Sequence, residues 1–299
     1  MRLIVPDART ASALQVGEPS LPSEVWSLAT RLDSPCIVLL SHPPQALQLA
    51  ALAEATGPVL VQLFSNGVDH LHGLIPEFAT VARAPQLRAQ ATAEVALTLA
   101  LMVLLRADHW EVVRQNRKWE WVPPTPRLSG RRVFILGRGS VGSACSVLFN
   151  ALGADVRQFG RVRPSLDDAL AAMDACDVLV IALPLTPHTR GVVSRSLLSK
   201  LPDGAAVVNV ARGPLIDSAA LLDEVLSGRL RAGLDVFDEE PLPEDHPFWS
   251  TPGLILSPHV GGSVIISPAD AANILRRQYR LISLGLPPEN LVDPNLYRW

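Results

Sequence analysis

Apolar residues in the first third of the chain occur as short runs bounded by proline, glycine or serine. The runs 36–40 and 59–63 have the length and composition of buried strands. The alanine- and leucine-rich stretch 44–56 between them predicts a helix that stops at Gly57 and Pro58. A strand, a helix and a second strand in this order form the repeating unit of a parallel sheet.

From residue 131 onward, apolar runs and helical patterns alternate more regularly. The predicted strands span 133–136, 155–159, 178–183, 206–210, 232–236 and 254–256. Helical segments lie between them, notably 218–226, and a further helix is predicted at 269–284. This alternation is typical of a doubly wound parallel sheet.

A long helical pattern at 90–118 joins the two regions. Apolar residues recur along it at helical spacing, and Pro123, Pro124 and Pro126 then end any helix. The proline run is therefore a predicted boundary between two domains. The length of 299 residues agrees with two domains, since one domain typically has about 100–200 residues.

The composition excludes several classes of protein. With 48% hydrophobic and 18% charged residues, the chain can bury a sizeable core, which excludes wholesale disorder. A net charge of −3 argues against nucleic acid or an anionic membrane surface as the main partner. Three widely spaced cysteines without a CxxC pattern argue against disulfides and against a cysteine metal site. The N-terminus lacks a signal-peptide pattern and no apolar stretch reaches the ~20 residues of a membrane span, so we expect a cytoplasmic protein.

A glycine-rich turn follows the strand predicted at 133–136. Gly137, Gly139 and Gly142 form the pattern GxGxxG, and a predicted helix follows. In this context the first glycine permits a tight turn, the second lets the backbone approach a pyrophosphate, and the third allows close packing of helix on strand. The amide groups at the helix N-terminus then face the phosphates. We interpret the motif as a dinucleotide site; the alternative is a purely structural turn.

The end of the next strand indicates which dinucleotide binds. An NAD site usually has a carboxylate there, which accepts a hydrogen bond from the ribose 2′-hydroxyl. This chain has Gly160, followed by Arg161 and Arg163. A guanidinium matches a phosphate in charge and geometry, whereas a carboxylate would repel it. We therefore predict NADP(H) as the preferred cofactor, with NAD(H) as the alternative; two solvated surface arginines are the competing interpretation.

Three polar segments each follow a predicted strand of the same sheet, where open α/β sheets bind ligands. They contain Arg212, Glu240 and His259. An arginine can pair with a substrate carboxylate, and a histidine can exchange a proton with a carbonyl or hydroxyl oxygen. A glutamate beside that histidine would raise its pKa. These residue types suffice for the interconversion of a 2-oxo acid and a 2-hydroxy acid.

The chain resembles the D-isomer-specific 2-hydroxyacid dehydrogenase family, with a pattern closest to its NADPH-linked glyoxylate/hydroxypyruvate reductases. The resemblance is carried by five segments in order, 137–142, 183–191, 209–217, 233–242 and 257–262, with weaker matches at 62–69, 92–94 and 290–294. It implies that Arg212 binds the substrate carboxylate and that His259 is the acid/base. It also implies Glu240 as the partner of His259, with Glu239 as the alternative.

The resemblance implies further contacts. Backbone N–H groups of Asn66, Gly67 and Val68 would bind the substrate carboxylate, and Asn66 would tune specificity, because alanine or serine is commoner there. Asp235 matches the position that meets the nicotinamide carboxamide. The other implied cofactor contacts are Ser140, Val141, Pro184, Thr189, Val210, Ala211 and Gly261.

The family fold implies an α/β protein with two Rossmann-like domains. A discontinuous, flavodoxin-like substrate domain would comprise 1–92 and 264–299, and a doubly wound NAD(P)-binding domain would be inserted at 93–263. Members of this family are usually homodimers through the cofactor domain. We expect NADPH-linked reduction of a small 2-oxo acid. We expect no metal site, since His70 and His72 are the one close histidine pair and the chain has no HExxH motif. The alternatives are a phosphite dehydrogenase, a reductase of bulkier 2-oxo acids, or a non-catalytic NAD(P) sensor.

Overall fold

The computed structural model describes residues 1–16, 18–27, 29–41, 45–68, 71, 73–76, 78–120, 124–160 and 164–294. In chain order the strands and helices are β1 Arg2–Val5, α1 Ala8–Val16, β2 Glu24–Val25, β3 Cys36–Leu39, α2 Ala46–Ala53, β4 Val59–Gln62, β5 Thr80–Ala82, α3 Ala89–Leu104, α4 Ala107–Asn116, β6 Arg132–Leu136, α5 Ser140–Ala151, β7 Asp155–Phe159, α6 Leu166–Ala171, β8 Val178–Ile181, α7 Arg195–Leu198, β9 Ala206–Asn209, α8 Ser218–Leu226, β10 Arg231–Leu234, β11 Leu254–Leu256 and α9 Pro268–Ser283. They form two compact units: unit 1 comprises 1–88 with 264–299, and unit 2 comprises 89–263.

Unit 1 contains a parallel sheet with the strand order β2-β1-β3-β4-β5. This is the flavodoxin-like order. One face of the sheet packs against a cluster that includes Leu52 of α2, and the other face packs against α1 and the C-terminal helix α9. Helix α9 contributes Ala272 and Leu275, both fully buried. The end of the chain therefore completes the core of the first sheet.

Unit 2 contains a six-stranded parallel sheet with the order β11-β10-β9-β8-β6-β7. Side chains of its central strands alternate between two cores, as the period of a strand requires. Val133 and Ile135 face the core that includes α3 and α5, whereas Phe134 and Leu136 face the core with α6, α7 and α8. The strand order reverses between β6 and β8, which predicts a ligand crevice at their carboxyl ends.

The predicted fold class, two parallel-sheet α/β domains, is confirmed. Strand β7, helix α8 and strand β11 have the bounds that the sequence predicts. The elements β1, α1, β2 and β5 were not predicted. The helical stretch predicted at 90–118 consists of two helices: α3 ends at Leu104, Arg106 has a left-handed φ of 60°, and α4 continues at a bend of 66°.

Pro124 and Pro126 lie inside unit 2, so the boundary predicted at the proline run is wrong; Pro123 lies outside the described residues. The reason is the packing of α3, whose small side chains let it lie against the second sheet. Ala93, Ala96 and Ala100 are fully buried, and a methyl group at Gly233 of β10 would lie 2.8 Å from the side chain of Leu99. The assignment of 1–92 with 264–299 to substrate and of 93–263 to cofactor stays a prediction.

The three cysteines, Cys36, Cys145 and Cys176, are buried free thiols. Burial raises their pKa values, to about 11 for Cys36 and about 12 for the other two. Of the described residues, no single helix is long and apolar enough to cross a membrane; the bent pair α3 and α4 meets that criterion only when counted together. Among the described residues there is no group of three or more His, Cys, Asp or Glu side chains that could hold a metal ion.

Candidate active site

The glycine-rich turn joins β6 to α5. Gly137 has a φ of 133°, and a methyl group there would lie 2.3 Å from the carbonyl oxygen of Ala182. A methyl group at Gly142 would lie 2.1 Å from the carbonyl oxygen of Gly137. At Gly139 the same methyl group would meet no atom within 4 Å, and this residue is the N-cap of α5. The first and third glycines thus pack the turn, while the second faces open space at a helix N-terminus, which fits the pyrophosphate of a dinucleotide.

The residue at the end of β7 is Gly160, which is buried. Its N–H donates to the carbonyl oxygen of Pro164 at 3.0 Å. A methyl group there would lie 3.0 Å from Cγ and Cδ of Arg138, so the stem of this arginine covers the end of the strand. Arg161 and Arg163 lie outside the described residues. Among the described residues, Arg138 is therefore a cation beside Gly160, and no sequence motif marks it for this place.

Other predicted cofactor contacts follow β6, β8 and β9, at the carboxyl edge of the sheet in unit 2. The turn after β8 is held by hydroxyl groups: Thr189 Oγ1 donates to the carbonyl oxygen of Pro184 at 2.7 Å, and Thr186 N–H donates to Thr189 Oγ1 at 2.8 Å. The remaining predicted contacts in this group lie in the first turn of α5 and directly after β9; they are Ser140, Val141, Val210 and Ala211.

The loop after β9 carries Arg212 and is organised by Asn209, which is buried. Asn209 Nδ2 donates to the carbonyl oxygen of Arg212 at 2.8 Å, and the N–H of Ala211 donates to Asn209 Oδ1 at 3.0 Å. Arg212 Nη1 donates to the carbonyl oxygen of Ala211 at 2.7 Å. A methyl group at Gly213 would lie 2.0 Å from the carbonyl carbon of Phe237, so the loops after β9 and β10 touch at this glycine.

Glu240 and His259 form a close pair. Glu240 Oε2 lies 2.6 Å from His259 Nδ1, and Glu240 Oε1 accepts a hydrogen bond from the N–H of Phe237 at 3.0 Å. In this arrangement Nδ1–H donates to the carboxylate, which leaves Nε2 of His259 to exchange a proton with a ligand. Glu240 makes this contact, and among the described residues Glu239 has no hydrogen bond or ion pair with His259.

The two groups shift each other's pKa values. The hydrogen bond with Glu240 raises the pKa of His259 above its ordinary value, against the opposing effects of burial and of the charge on Arg212. Burial by itself would raise the pKa of Glu240, yet hydrogen bonds from His259 and from the N–H of Phe237 hold it below its ordinary value. The pair therefore favours an imidazolium beside a carboxylate, the state that can donate a proton.

The loop that carries His259 is held by Asp235, which is buried. Asp235 Oδ1 accepts from Ser257 Oγ at 2.6 Å and from the N–H of Val260 at 2.8 Å, while Oδ2 accepts from the N–H of Gly261 at 2.8 Å. His259 has a left-handed φ of 53° within this loop. Both carboxylate oxygens thus bind the histidine loop, a role that the resemblance did not suggest for Asp235.

Helix α3 supports the same loop. The hydroxyl group of Thr92 donates to the carbonyl oxygen of Gly261 at 2.7 Å, and a methyl group at Gly261 would lie 2.8 Å from Asp235 Oδ2. The sequence motifs did not identify Asn209, Ser257 and Thr92 as supporting residues. The one available signal was position, since Asn209 ends a strand and Ser257 directly follows one.

The predicted substrate loop, Asn66 to Val68, belongs to unit 1. Arg83 Nη1 donates to the carbonyl oxygen of Asn66 at 3.2 Å, and Arg88 Nε donates to the carbonyl oxygen of Phe64 at 3.1 Å. Burial lowers the pKa of both guanidinium groups. Asn66 Oδ1 is buried and has no hydrogen-bond partner among the described residues.

The fold of unit 2, its glycine turn and the Arg212, Glu240 and His259 side chains define a class, the nicotinamide-dependent oxidoreductases. Residues 95–261 match the family model described as D-isomer specific 2-hydroxyacid dehydrogenase, NAD binding domain. The chain belongs to the D-isomer specific 2-hydroxyacid dehydrogenase family. The predicted family and the prediction of an enzyme are confirmed, as is a nicotinamide dinucleotide as the class of cofactor.

Relatives of known name agree with this assignment. Glyoxylate/hydroxypyruvate reductase A of Serratia proteamaculans is 31% identical over 215 residues, which are 69% of this chain and 68% of that protein. The protein of the same name from Salmonella dublin is 30% identical over 249 residues, 80% of this chain and 78% of that protein.

Solved structures give the same fold. A D-isomer specific 2-hydroxyacid dehydrogenase from Xanthobacter autotrophicus, in complex with NADPH and MES, has a TM-score of 0.79 and 30% identity, with 98% of each chain covered. An NADPH-dependent glyoxylate/hydroxypyruvate reductase from Sinorhizobium meliloti, in complex with NADP and sulfate, has a TM-score of 0.80 at 24% identity, with 98% of each chain covered. The second likeness is evidence for the fold alone.

Proposed function

We propose that this enzyme uses NADPH to reduce a small 2-oxo acid of the glyoxylate or hydroxypyruvate type to the D-2-hydroxy acid. The observation that carries the proposal is the hydrogen-bonded pair of Glu240 and His259 in the same unit as Arg212 and the glycine turn. The names of the Serratia and Salmonella relatives support the substrate class.

The proposed reaction consumes one 2-oxo acid, one NADPH and one proton. Bound reduced nicotinamide supplies the hydride. Arg212 pairs with the substrate carboxylate, and the backbone N–H groups of Asn66, Gly67 and Val68 bind the same group. His259 Nε2 gives its proton to the carbonyl oxygen, and Glu240 stabilises the imidazolium before transfer.

The preference for NADP(H) is supported by the absence of a carboxylate at the end of β7, where Gly160 stands. Arg161 and Arg163 are proposed to bind the 2′-phosphate, and NAD(H) is the weaker cofactor. The NADPH complex of the Xanthobacter relative agrees with this preference. We also propose a cytoplasmic homodimer that associates through the cofactor domain and binds no nucleic acid.

The test is the loss of reduced-nicotinamide absorbance with glyoxylate and hydroxypyruvate, with NADPH and NADH compared under identical conditions. We expect fast oxidation of NADPH and slow oxidation of NADH. Turnover of bulkier 2-oxo acids alone would show that the substrate is a bulkier 2-oxo acid. Turnover of phosphite with NADP⁺ would show that the enzyme is a phosphite dehydrogenase. If no compound reacts and His259→Asn leaves all ligand binding intact, the non-catalytic sensor is the better description.

A further inference from the structure

Arg83 holds the loop that is proposed to bind the substrate carboxylate. Its Nη1 donates to the carbonyl oxygen of Asn66 at 3.2 Å, and its backbone N–H donates to the carbonyl oxygen of Asn290 at 3.1 Å. The side chain is partly buried, and no carboxylate of the described residues forms an ion pair with it. The guanidinium therefore brings a poorly solvated positive charge to the backbone of this loop.

A trans peptide unit carries its C=O and its N–H on opposite sides. The carbonyl oxygen of Asn66 and the N–H of Gly67 belong to one such unit. A cation that binds the oxygen fixes the direction of the N–H and makes it a stronger donor, because hydrogen bonds polarise one another in a low dielectric. The contact of Arg88 with the carbonyl oxygen of Phe64 acts instead on the N–H of Ser65, outside the three-residue loop.

We propose that Arg83 is a positioning residue for the 2-oxo acid: it orients the peptide unit between Asn66 and Gly67 and strengthens the Gly67 N–H as a donor to the substrate carboxylate. This inference rests on the proposed function. It assigns to Arg83 no contact with the reacting atoms. Its removal should therefore weaken the binding of carboxylate ligands and leave proton transfer and cofactor binding unchanged.

The experiment compares Arg83→Met and Arg83→Lys with the wild type at saturating NADPH. We expect Arg83→Met to raise KM for glyoxylate and the inhibition constant of oxalate about tenfold, the effect of one lost charge-assisted contact, with kcat little changed. Arg83→Lys, which keeps the charge, should recover part of the loss. Methyl glyoxylate, which lacks the carboxylate, should show no change in kcat/KM.

Arg276→Met is the matched control. Arg276 also donates to backbone carbonyl groups of unit 1, those of Pro19 and Leu14, at 3.2 Å in each case, far along the chain from the loop. Thermal unfolding of each variant is measured beside the kinetics, and Arg276→Met should lose stability without a change in KM. If Arg83→Met does not fold, Arg83→Lys provides the test: its KM should rise for glyoxylate and not for methyl glyoxylate.

The failure of this inference differs from the failure of the proposed function. A wild-type enzyme that reduces no 2-oxo acid would overturn both. A wild-type enzyme that reduces glyoxylate, with an unchanged KM in the Arg83 variants, would overturn the role of Arg83 only. An equal loss with methyl glyoxylate, or an equal rise of KM in Arg276→Met, would show a general structural effect and would also overturn it.

Discussion

The two ends of the carboxyl edge of the sheet in unit 2 are built in opposite ways. After β9, β10 and β11, polar side chains hold the loops: the buried Asn209 holds the loop of Arg212, the buried Asp235 holds the loop of His259, and Glu240 binds the imidazole. After β6 and β7 the decisive feature is the lack of a side chain, at Gly137, Gly142 and Gly160.

The difference separates two ways in which a substitution can act. At the catalytic end, replacement of a polar side chain changes charge and proton transfer while the backbone can stay in place. At Gly137, Gly142 and Gly160 of the cofactor end, the smallest added side chain meets backbone atoms or the stem of Arg138. We therefore expect mutations at the first end to alter kcat and pH dependence, and mutations at the second end to alter cofactor binding and stability.

The largest effect is expected for Arg212→Gln. Glutamine keeps a polar group but loses the charge and the forked geometry that bind a carboxylate, so kcat/KM for the 2-oxo acid should fall about 10³-fold. NADPH binding, measured by fluorescence titration, should change little. Arg212→Lys is the control, because it restores the charge without the fork and should recover only part of the activity. Near-normal turnover in Arg212→Gln would contradict the role of Arg212.

The next effect is expected for Glu240→Gln. In the wild type the pKa of His259 is raised, so reduction is supported at low pH and falls as pH rises through that pKa. Glutamine removes the negative charge, which lowers the pKa of His259 and moves the alkaline limb of kcat/KM to lower pH. At neutral pH the rate should fall about 10²-fold. Glu239→Gln is the matched control and should leave the pH profile unchanged; an unmoved limb in Glu240→Gln would exclude the pair as the titrating group.

At the cofactor end, Gly142→Ala and Gly139→Ala should have different effects. The methyl group at Gly142 would lie 2.1 Å from a backbone oxygen, so the turn must shift, and the free energy of unfolding should fall by about 1–3 kcal/mol. The methyl group at Gly139 meets no protein atom, so stability should hold while the Kd for NADPH rises. Thermal unfolding and cofactor titration separate the two effects. Equal stability of both variants would contradict the packing role of Gly142.

The sequence predicts most reliably where a signal is local. Helix α8 has its predicted bounds because Asp217 caps its first turn, accepting from the N–H of Ala220 at 2.9 Å, and Gly228 follows its end with a φ of 75°. The break between α3 and α4 has no proline or glycine to mark it. Nearby, Asp108 accepts from the N–H of Gly253, 145 residues away, at 3.3 Å, and such a tertiary contact cannot be read from the sequence.

The same distinction holds in the site. Arg212, Glu240 and His259 could be predicted because each follows a strand of one parallel sheet, which brings its carboxyl ends to one edge. The role of Asp235 could not, because it depends on the left-handed conformation of His259 and the path of the loop to Gly261. Strand β1 was missed because it has only four residues, and three of them pair with β3, more than 30 residues later.

The smallest effect is expected at Gly160, where the structure sharpens the prediction from sequence. Replacing Gly160 with Asp and Arg161 with Ser supplies the carboxylate of an NAD site and removes one phosphate ligand, which should shift the ratio of kcat/KM for NADPH and NADH about tenfold toward NADH. However, a side chain at 160 lies beside the stem of Arg138, whose charge would attract the new carboxylate. Adding Arg138→Ala should therefore increase the shift toward NADH. Adding Arg157→Ala instead, which removes an exposed cation of β7, should not. An unchanged cofactor ratio in all three combinations would contradict phosphate recognition at this end of the sheet.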